Sequence, residues 1–340
     1  MRNSGRLTDS IKNEMKRSPK VFPGSGKIDY YLRFQTVEEH MNRDVHPQVM
    51  MGALAKDKSW LTDHGPEHIA TVIDRASDIV NTSSCKLTGY EIYLLLVAIH
   101  FHDVGNVLGR DDHEKRVEDF MLEAGSLLGS NTPELRMIKD IAVAHGGKIE
   151  GSQDTISRLS DDTADVRLRL LAAILRFADE IADDHTRASD FILGRNILYK
   201  HNEVFHYYSD RLKQVNVTPG SIKLVFEINR EILCRSYGKG KAEDKYIEVN
   251  IVDFIFERCV KMHLERIYCM RFTRPCIDIG HINVDIRFYD DRYMNRLDQL
   301  SFRLAEAGYP VAYDQSIGSI CPELENVTYA SLREKWGNRS

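Results

Sequence analysis

The sequence predicts a mainly α-helical protein in which a helical core precedes a C-terminal domain of mixed α+β structure. Two patterns predict the core: residues 66–80 carry apolar side chains at helical spacing, and residues 87–104 are apolar on nearly every side. A third predicts the C-terminal domain, because segments of period-two alternation appear past about Asn196. The 340 residues are enough for one large core and a second, smaller domain.

The chain divides into three predicted parts: an N-terminal tail with wrapping helices (1–58), a helical core (59–195) and the α+β domain (196–340). Residues 1–25 are charged and end in PGSG, which indicates a mobile tail or an arm that docks elsewhere. Residues 30–58 are helical but weakly amphipathic, so they are expected to wrap the core.

The core helices each have a recognisable boundary. Pro66 suits a first helical turn, where its missing N–H costs nothing, and the next helices begin near Leu87 and His113. Thr132 and Pro133 start a helix that runs to a double glycine at 146–147. Residues 148–162 predict a long polar loop, with a role as a lid as a hypothesis. The last core helix has an apolar stripe that ends in Asp179.

The C-terminal domain is predicted from weaker patterns. Strands are expected at 203–208, 221–228 and 282–288, and helices near 249–271 and 292–307. This part of the sequence indicates an architecture but no chemistry, and a homo-oligomer interface is one hypothesis for its role.

Composition limits the function classes. The net charge of -5, from 46 Lys+Arg against 51 Asp+Glu, excludes a generally basic nucleic-acid coat but leaves a local basic groove open. The six cysteines are scattered without a CxxC pair, so buried free thiols are expected. No apolar run reaches the ~20 residues that span a bilayer, and the N-terminus is too polar for a secretory signal. A cytoplasmic location without a membrane partner is therefore expected.

The candidate functional residues are polar side chains at helix ends or on apolar helix faces, where burial requires a partner. They are His68, His102, Asp103, His113, His145 and Asp179. Imidazole and carboxylate ligands without thiolate suit Mn, Fe, Co, Ni or Zn, and carboxylates also hold Mg. One ion held by His68, His102, Asp103 and Asp179 is expected, with a second held by His113 and His145 and bridged by Asp103.

The ordered motifs resemble those of the HD-domain phosphohydrolase superfamily. HIATV at His68 is similar to the family's HSxxV form, HDVGN at His102 to its His-Asp doublet, and LLAAILRFADEIAD around Asp179 to LLRxADxLD. HEKRV at His113 resembles HxxxS, with valine in place of serine, and AHGG at His145 stands where some members carry His-His or His-Gly. The resemblance covers about residues 60–190 and implies an HD-type helical bundle.

One departure leaves the first ligand open. TDHGPEH offers both His64 and His68; helical geometry favours His68, with His64 in an outer position or contacting substrate. This form resembles an HD subgroup found in bacterial conflict systems and in eukaryotes.

The resemblance implies a metal-dependent phosphohydrolase, and nucleotides are the expected substrates. A nuclease or cyclic-nucleotide phosphodiesterase, and a catalytically silent nucleotide-sensing module, are the alternatives. His102 and Asp103 are the predicted catalytic residues, with one or two divalent ions per chain. Cationic side chains near these motifs are expected to bind the phosphate. They are Arg110, Lys115, Lys148, Arg176 and Arg187.

Overall fold

The computed structural model describes residues 6–49, 65–108, 116–129, 131–146, 151–160, 165–185, 198–242, 245–306 and 316–336. The chain forms two compact units. The described residues of the first lie between Arg6 and Ala182, together with Cys269–Asp278; those of the second lie in Asp183–Tyr268 and after Ile279. The prediction of a mainly α protein with an α+β region is confirmed. No helix within the described ranges is long and apolar enough to cross a membrane.

The regular elements of the first unit, in its described residues, are helices. Its α-helices are α1 (Leu7–Arg17), α2 (Tyr30–His40), α3 (Pro66–Asn81), α4 (Gly89–Phe101), α5 (Val117–Glu123), α6 (Gly125–Leu128), α7 (Thr132–Val143) and α8 (Leu168–Glu180). A π-helix, Met41–Val45, continues α2, and 3-10 turns occupy Val104–Leu108 and Ile156–Arg158.

Helix α4 is the centre of this unit, and every one of its residues is buried. It packs against α1, α2, α3, α7 and α8, which explains why its sequence is apolar on all sides rather than on one face. Its start is fixed by a capping box: Thr88 Oγ1 accepts from the Glu91 amide while a Glu91 oxygen accepts from the Thr88 amide.

The buried Glu91 carboxylate also fixes the start of α8. It accepts from the backbone amide of Arg167 at 3.1 Å and from Arg167 Nε at 2.7 Å and Nη2 at 2.6 Å. A bidentate guanidinium pair of this kind restricts both distance and orientation. The first turns of α4 and α8 are therefore held side by side, and both helices are 13 residues long.

The N-terminal segment forms a docked helix rather than an extended tail. Leu7 and Ile11 of α1 are buried, and α1 packs on α4. Gly89, at the start of α4, leaves the room for this, because a Cβ there would lie 2.3 Å from the Phe22 ring. Of the two interpretations of residues 1–25, the docked arm is therefore the one that the described residues adopt.

The expectation of free thiols is wrong for two of the six cysteines. Cys85 and Cys276 form a disulfide, with their Cα atoms 4.9 Å apart and a sequence separation of 191 residues. Sequence spacing offered no sign of it, because the pairing depends on the chain returning to the turn before α4. The Ser84 amide donates to the Cys276 carbonyl at 2.8 Å, which holds the two turns together. Cys259, Cys269 and Cys321 are free and buried, as expected.

The second unit contains a mixed four-stranded sheet in the order β1-β2-β5-β6, where β1 is Leu212–Thr218, β2 Gly220–Asn229, β5 Ile279–Tyr289 and β6 Arg296–Ala305. Strands β2 and β5 are parallel, and the other two pairs are antiparallel. A parallel pair requires a crossover. Here it comprises α10 (Arg230–Cys234), the hairpin β3–β4 (Ser236–Ala242, Lys245–Asn250) and α11 (Ile251–Thr273).

Two predicted elements of this unit are wrong. Residues 203–208 belong to a helix, α9 (Glu203–Arg211), whose buried apolar side chains Val204, Tyr207 and Tyr208 are three and four residues apart. Residues 292–307 contain strand β6 rather than a helix. Phe302 and Leu304 are buried while Arg303 is exposed, the alternation of a strand paired with β5. The predicted strands at 221–228 and 282–288 and the helix near 249–271 are confirmed. The remaining helices are α12 (Ile317–Ile320) and α13 (Tyr329–Trp336).

Candidate metal centre

Four elements of the first unit bring polar side chains to one buried place. His68 lies in the first turn of α3, and His102 with Asp103 immediately follows α4. Asp179 lies in the last turn of α8, and His145 follows the end of α7. Nitrogen and carboxylate atoms of His68, His102 and Asp103 lie within 4.8 Å of one another.

Asp179 completes a four-residue cluster. Its Oδ1 atom is 3.2 Å from His68 Nε2 and 3.8 Å from His102 Nε2. On the other side, Asp103 Oδ2 is 3.3 Å from His102 Nε2 and 3.8 Å from His68 Nε2. Two imidazole nitrogens and two carboxylate oxygens thus converge on a common point. The histidines are completely buried, whereas the Asp179 side chain keeps 28% of its exposure.

The orientation of His102 is fixed by the end of its own helix. Its Nδ1 lies 2.7 Å from the Ile99 carbonyl oxygen, which can only accept, so Nδ1 donates. In the neutral tautomer Nε2 therefore carries a lone pair, and it points toward the two carboxylates. Nε2 is buried and has no hydrogen-bond partner of good geometry among the residues that the structure describes.

The Asp103 carboxylate is oriented by the HDVGN motif itself. Asn106 is buried, and its Nδ2 donates to Asp103 Oδ1 at 2.9 Å. With Oδ1 held in this way, Oδ2 faces His68 and His102, while Oδ1 lies 3.8 Å from His145 Nε2. The two oxygens of one carboxylate therefore face different histidines, which is the arrangement of a bridging ligand.

His145 is oriented in the same way as His102, by a hydrogen bond from Nδ1 to a backbone carbonyl. Its Nδ1 donates to the carbonyl oxygen of Ala142, three residues earlier, at 2.5 Å, which leaves Nε2 facing Asp103. The His102 and His145 rings are 4.9 Å apart and nearly perpendicular. Both histidines are thus aimed by a bond to the last turn of the helix that precedes them.

The cluster is strongly coupled electrostatically. Burial opposes protonation of His102, but the Asp103 and Asp179 carboxylates outweigh it and raise the pKa of His102 to about 10. Burial alone would raise the pKa of Asp179; the His102 and His68 imidazoles hold it well below its usual range. Without a metal ion, the proton on His102 offsets part of the carboxylate charge, and a bound cation would take its place.

These residues fit a divalent metal ion. When the His102 ring is neutral, its buried Nε2 presents a lone pair that a metal cation can accept, and two carboxylates balance a charge of +2. His68, His102, Asp103 and Asp179 would be its ligands. The mixed imidazole and carboxylate set is compatible with several divalent metals.

The comparisons with known proteins agree with this chemistry. The sequence model of the HD-CE family matches residues 60–235, just over half of the chain. The chain belongs to the HD-CE family. No curated protein and no solved structure gives a significant match. The HD-type domain of this HD-CE protein and its His/His/Asp cluster together suggest a metal-dependent hydrolase.

Several predicted site residues of the HD-CE domain lie outside the described residues. They are His64, Arg110, His113, Lys115, Lys148 and Arg187. The choice between His64 and His68 as first ligand therefore stays a prediction, as does the second-ion role of His113. His68 itself lies where the preferred alternative requires, in the first turn of α3 and facing Asp179.

Arg176 lies on α8, three residues before Asp179, and is buried. Its Nη1 donates to the Gln153 carbonyl and to Thr155 Oγ1, both at 3.0 Å. These bonds engage the described part of the polar loop, residues 151–160, in which Thr155 and Ile156 are buried. The predicted phosphate contact of Arg176 is untested; in the structure its guanidinium holds the loop.

Two buried histidines near the HD-CE site have a different role. His46 Nε2 and His100 Nδ1 are 3.1 Å apart, and burial lowers the pKa of His46 to about 2 and that of His100 to about 3. Both are therefore neutral at physiological pH. His100 lies two residues before His102, and its ring contacts His46 and Phe34. His46 and Thr155 gave no sequence signal, since each lies in a segment without clear periodicity.

Proposed function

We propose that this protein is a metal-dependent phosphohydrolase that acts on nucleotides. The observation that carries the proposal is the convergence of His68, His102, Asp103 and Asp179, with side-chain atoms 3.2–3.8 Å apart, around the buried Nε2 of His102. The TDHGPEH motif further supports placement in the HD subgroup of bacterial conflict systems and eukaryotes.

A two-ion version of the site is supported by Asp103. Because its Oδ2 faces His68 and His102 and its Oδ1 faces His145, it is the natural bridge between two positions. The second position would use His145 and His113. Manganese is the proposed physiological ion, since it accepts both imidazole and carboxylate ligands.

In this proposal some residues of the site bind the metal ion, and Asp103 also takes part in proton transfer. A divalent ion held at the cluster would lower the pKa of a water molecule from about 16 to about 7 and neutralise phosphate charge. Asp103, held by Asn106, orients the attacking water and shares its proton. The side chains of His68 and His102 supply neutral nitrogen ligands, and the low pKa of Asp179 keeps that carboxylate ionised.

The test measures metal binding and hydrolysis separately. The purified protein is incubated with Mn²⁺ and a panel of mononucleotides, cyclic nucleotides, dinucleotides and single-stranded oligonucleotides, and phosphate or nucleotide release is measured. Bound metal is counted by elemental analysis after dialysis. Asp103→Asn is expected to lose both metal and activity. Asp119→Asn, an exposed aspartate on α5, is the matched control and should retain both.

The outcomes distinguish the alternatives. Turnover of mononucleotides alone supports the proposal, while cleavage of oligonucleotides or cyclic nucleotides identifies a nuclease or a phosphodiesterase. Nucleotide binding without turnover, unchanged in Asp103→Asn, identifies a sensing module. Retention of full metal content by both Asp103→Asn and His102→Ala would show that the metal binds elsewhere.

A further inference from the structure

We propose that Thr155 and Arg176 are positioning residues that hold His145 at the metal centre by fixing the backbone carbonyl of Ala144. The inference rests on the proposed function, because it concerns how the second side of that centre is built. It adds two residues that the motifs of the sequence do not assign to His145.

The contact that carries it is a buried hydrogen-bond chain. Thr155 Oγ1 donates to the Ala144 carbonyl at 2.8 Å, and Arg176 Nη1 donates to Thr155 Oγ1 at 3.0 Å. Thr155 is 1% exposed and Arg176 6% exposed, so water does not compete for either bond. A second Arg176 bond, to the Gln153 carbonyl at 3.0 Å, holds the loop two residues before Thr155.

The donor and acceptor roles in this series of hydrogen bonds follow from the chemistry of the groups. A guanidinium can only donate, so the Thr155 hydroxyl oxygen accepts from Arg176. The hydroxyl proton is then available for the Ala144 carbonyl, which can only accept. Arg176 thus commits the hydroxyl of Thr155 to a single partner, and valine at position 155 would remove the chain while nearly keeping the shape of the side chain.

His145 needs this support because it lies beyond the end of its helix. The last residue of α7 is Val143, and the carbonyls of a final turn have no partner within the helix. Ala144 is the C-cap residue, so its carbonyl likewise lacks a partner within the helix, and it immediately precedes His145. The Nδ1 bond to the Ala142 carbonyl orients the ring, and the His145 amide donates to the same carbonyl at 3.4 Å. The bond from Thr155 to the Ala144 carbonyl holds the same peptide unit at its other polar group, so the backbone from which the ring projects is restrained at both its N–H and its C=O.

The hydrogen bonds from Arg176 through Thr155 to Ala144 also connect two sides of the metal centre. Arg176 and Asp179 lie one turn apart on α8, so the helix that delivers Asp179 also holds the residue that fixes His145. His102 provides an internal comparison. It makes the same type of Nδ1 bond, to Ile99, but directly caps the fully buried helix α4 and has no contact with Thr155 in the described chain.

The test reads the histidine rings directly. The protein is labelled with ¹⁵N-histidine, and long-range ¹H–¹⁵N spectra report the tautomer of each imidazole in the metal-free protein and during titration with diamagnetic Zn²⁺. The variants are Thr155→Val, which removes the hydroxyl, and Thr155→Ser, which keeps it. Thr36→Val is the matched control, because Thr36 Oγ1 donates to the Leu32 carbonyl on an exposed helix surface.

We expect Thr155→Val to broaden or mix the tautomer signals of His145 while those of His102 stay as in the wild type. The Zn²⁺ response of His145 should weaken by about 10- to 100-fold, the effect of losing a residue that orients a ligand. Thr155→Ser should restore the wild-type spectrum, and Thr36→Val should not alter it.

Two results would overturn the inference: an unchanged His145 signal in Thr155→Val, or equal broadening of His102 and His145, which would indicate general loosening. Failure of the proposed function has a separate signature. If Zn²⁺ shifts no histidine in the wild type, the metal centre is refuted, while the metal-free tautomer of His145 still decides whether Thr155 positions that ring.

Discussion

Replacing Glu134 by glutamine should destabilise the helical unit by about 3 kcal/mol without weakening metal binding. Glu134 lies in the first turn of α7 and is completely buried. Its Oε2 accepts from Tyr30 at 3.1 Å and Tyr90 at 3.0 Å, and its Oε1 accepts from Arg33 at 3.0 Å and Tyr93 at 3.4 Å. One carboxylate therefore ties α2, α4 and α7 together.

The magnitude follows from the charge that is left behind. Glutamine supplies one acceptor oxygen and one donor group in place of two acceptors, so two of the four donors lose their partner. Removing one member of a buried ion pair costs about 3–5 kcal/mol, because the other charge stays buried. The Arg33 side chain keeps 19% of its exposure, which favours the lower end, about 3 kcal/mol.

The assay is thermal unfolding of the metal-free protein, followed by circular dichroism. At 2–4 °C per kcal/mol for a unit of this size, the expected fall in Tm is roughly 6–12 °C. Glu118→Gln is the matched control, because Glu118 is 63% exposed and its partner Lys139 lies 3.3 Å away. Exposed ion pairs contribute less than about 1 kcal/mol, so its Tm should change by only a few degrees.

Metal binding provides the second readout. Glu134 and His145 lie at opposite ends of α7, about 16 Å apart along the helix axis. At a temperature where Glu134→Gln remains folded, its affinity for Mn²⁺ should therefore stay within about twofold of the wild type. A loss of stability below 1 kcal/mol would refute the reasoning about the buried carboxylate. A tenfold loss of metal affinity would refute the separation of the two ends.

Three further outcomes are expected. Asp179→Asn should weaken Mn²⁺ binding by roughly 100-fold in isothermal titration calorimetry, because a direct ligand matters at least as much as an outer one; an unchanged affinity would exclude Asp179 as a ligand. Since the pKa of His102 is about 10, metal must displace its proton between pH 7 and 9. The apparent affinity should rise about tenfold per pH unit and level off above pH 10, and a flat profile would contradict this. A reductant should lower the unfolding free energy of the wild type by about 2–5 kcal/mol, and its Tm accordingly, but should leave both unchanged in Cys85→Ser, which lacks the link to Cys276.

The residues of the candidate centre were predictable because each one breaks a local pattern. His102 and Asp103 end a helix that is otherwise apolar, and Asp179 interrupts an apolar stripe, so the anomaly is visible within a few residues. Burying such groups requires a shared partner. The same reasoning could not find Thr155, because a threonine in a polar loop breaks no pattern, although its hydroxyl is buried.

The two wrong secondary-structure predictions in the second unit arose because the local sequence pattern was ambiguous. The aromatic run of α9 satisfies strand statistics, and residues 292–307 satisfy helical ones, because short segments carry both periodicities. What decided them is pairing with distant residues: Phe302 lies opposite Val284 of β5, and Tyr208 packs on Phe226 of β2. Neither neighbour is visible from the segment itself.

The convergence of His102 and Asp179 has a cause that lies at the other end of their helices. Glu91 and Arg167 hold the first turns of α4 and α8 side by side, and the two helices have equal length. At 1.5 Å per residue, the 11 positions from Glu91 to His102 and the 12 from Arg167 to Asp179 rise nearly the same distance. Two parallel helices that start together therefore end together, and the residues that meet there are the imidazole and the carboxylate. The ion pair that aligns them lies at the opposite end of both helices from the metal centre and outside the motifs, which is why the motifs reveal the ligands but not what brings them together.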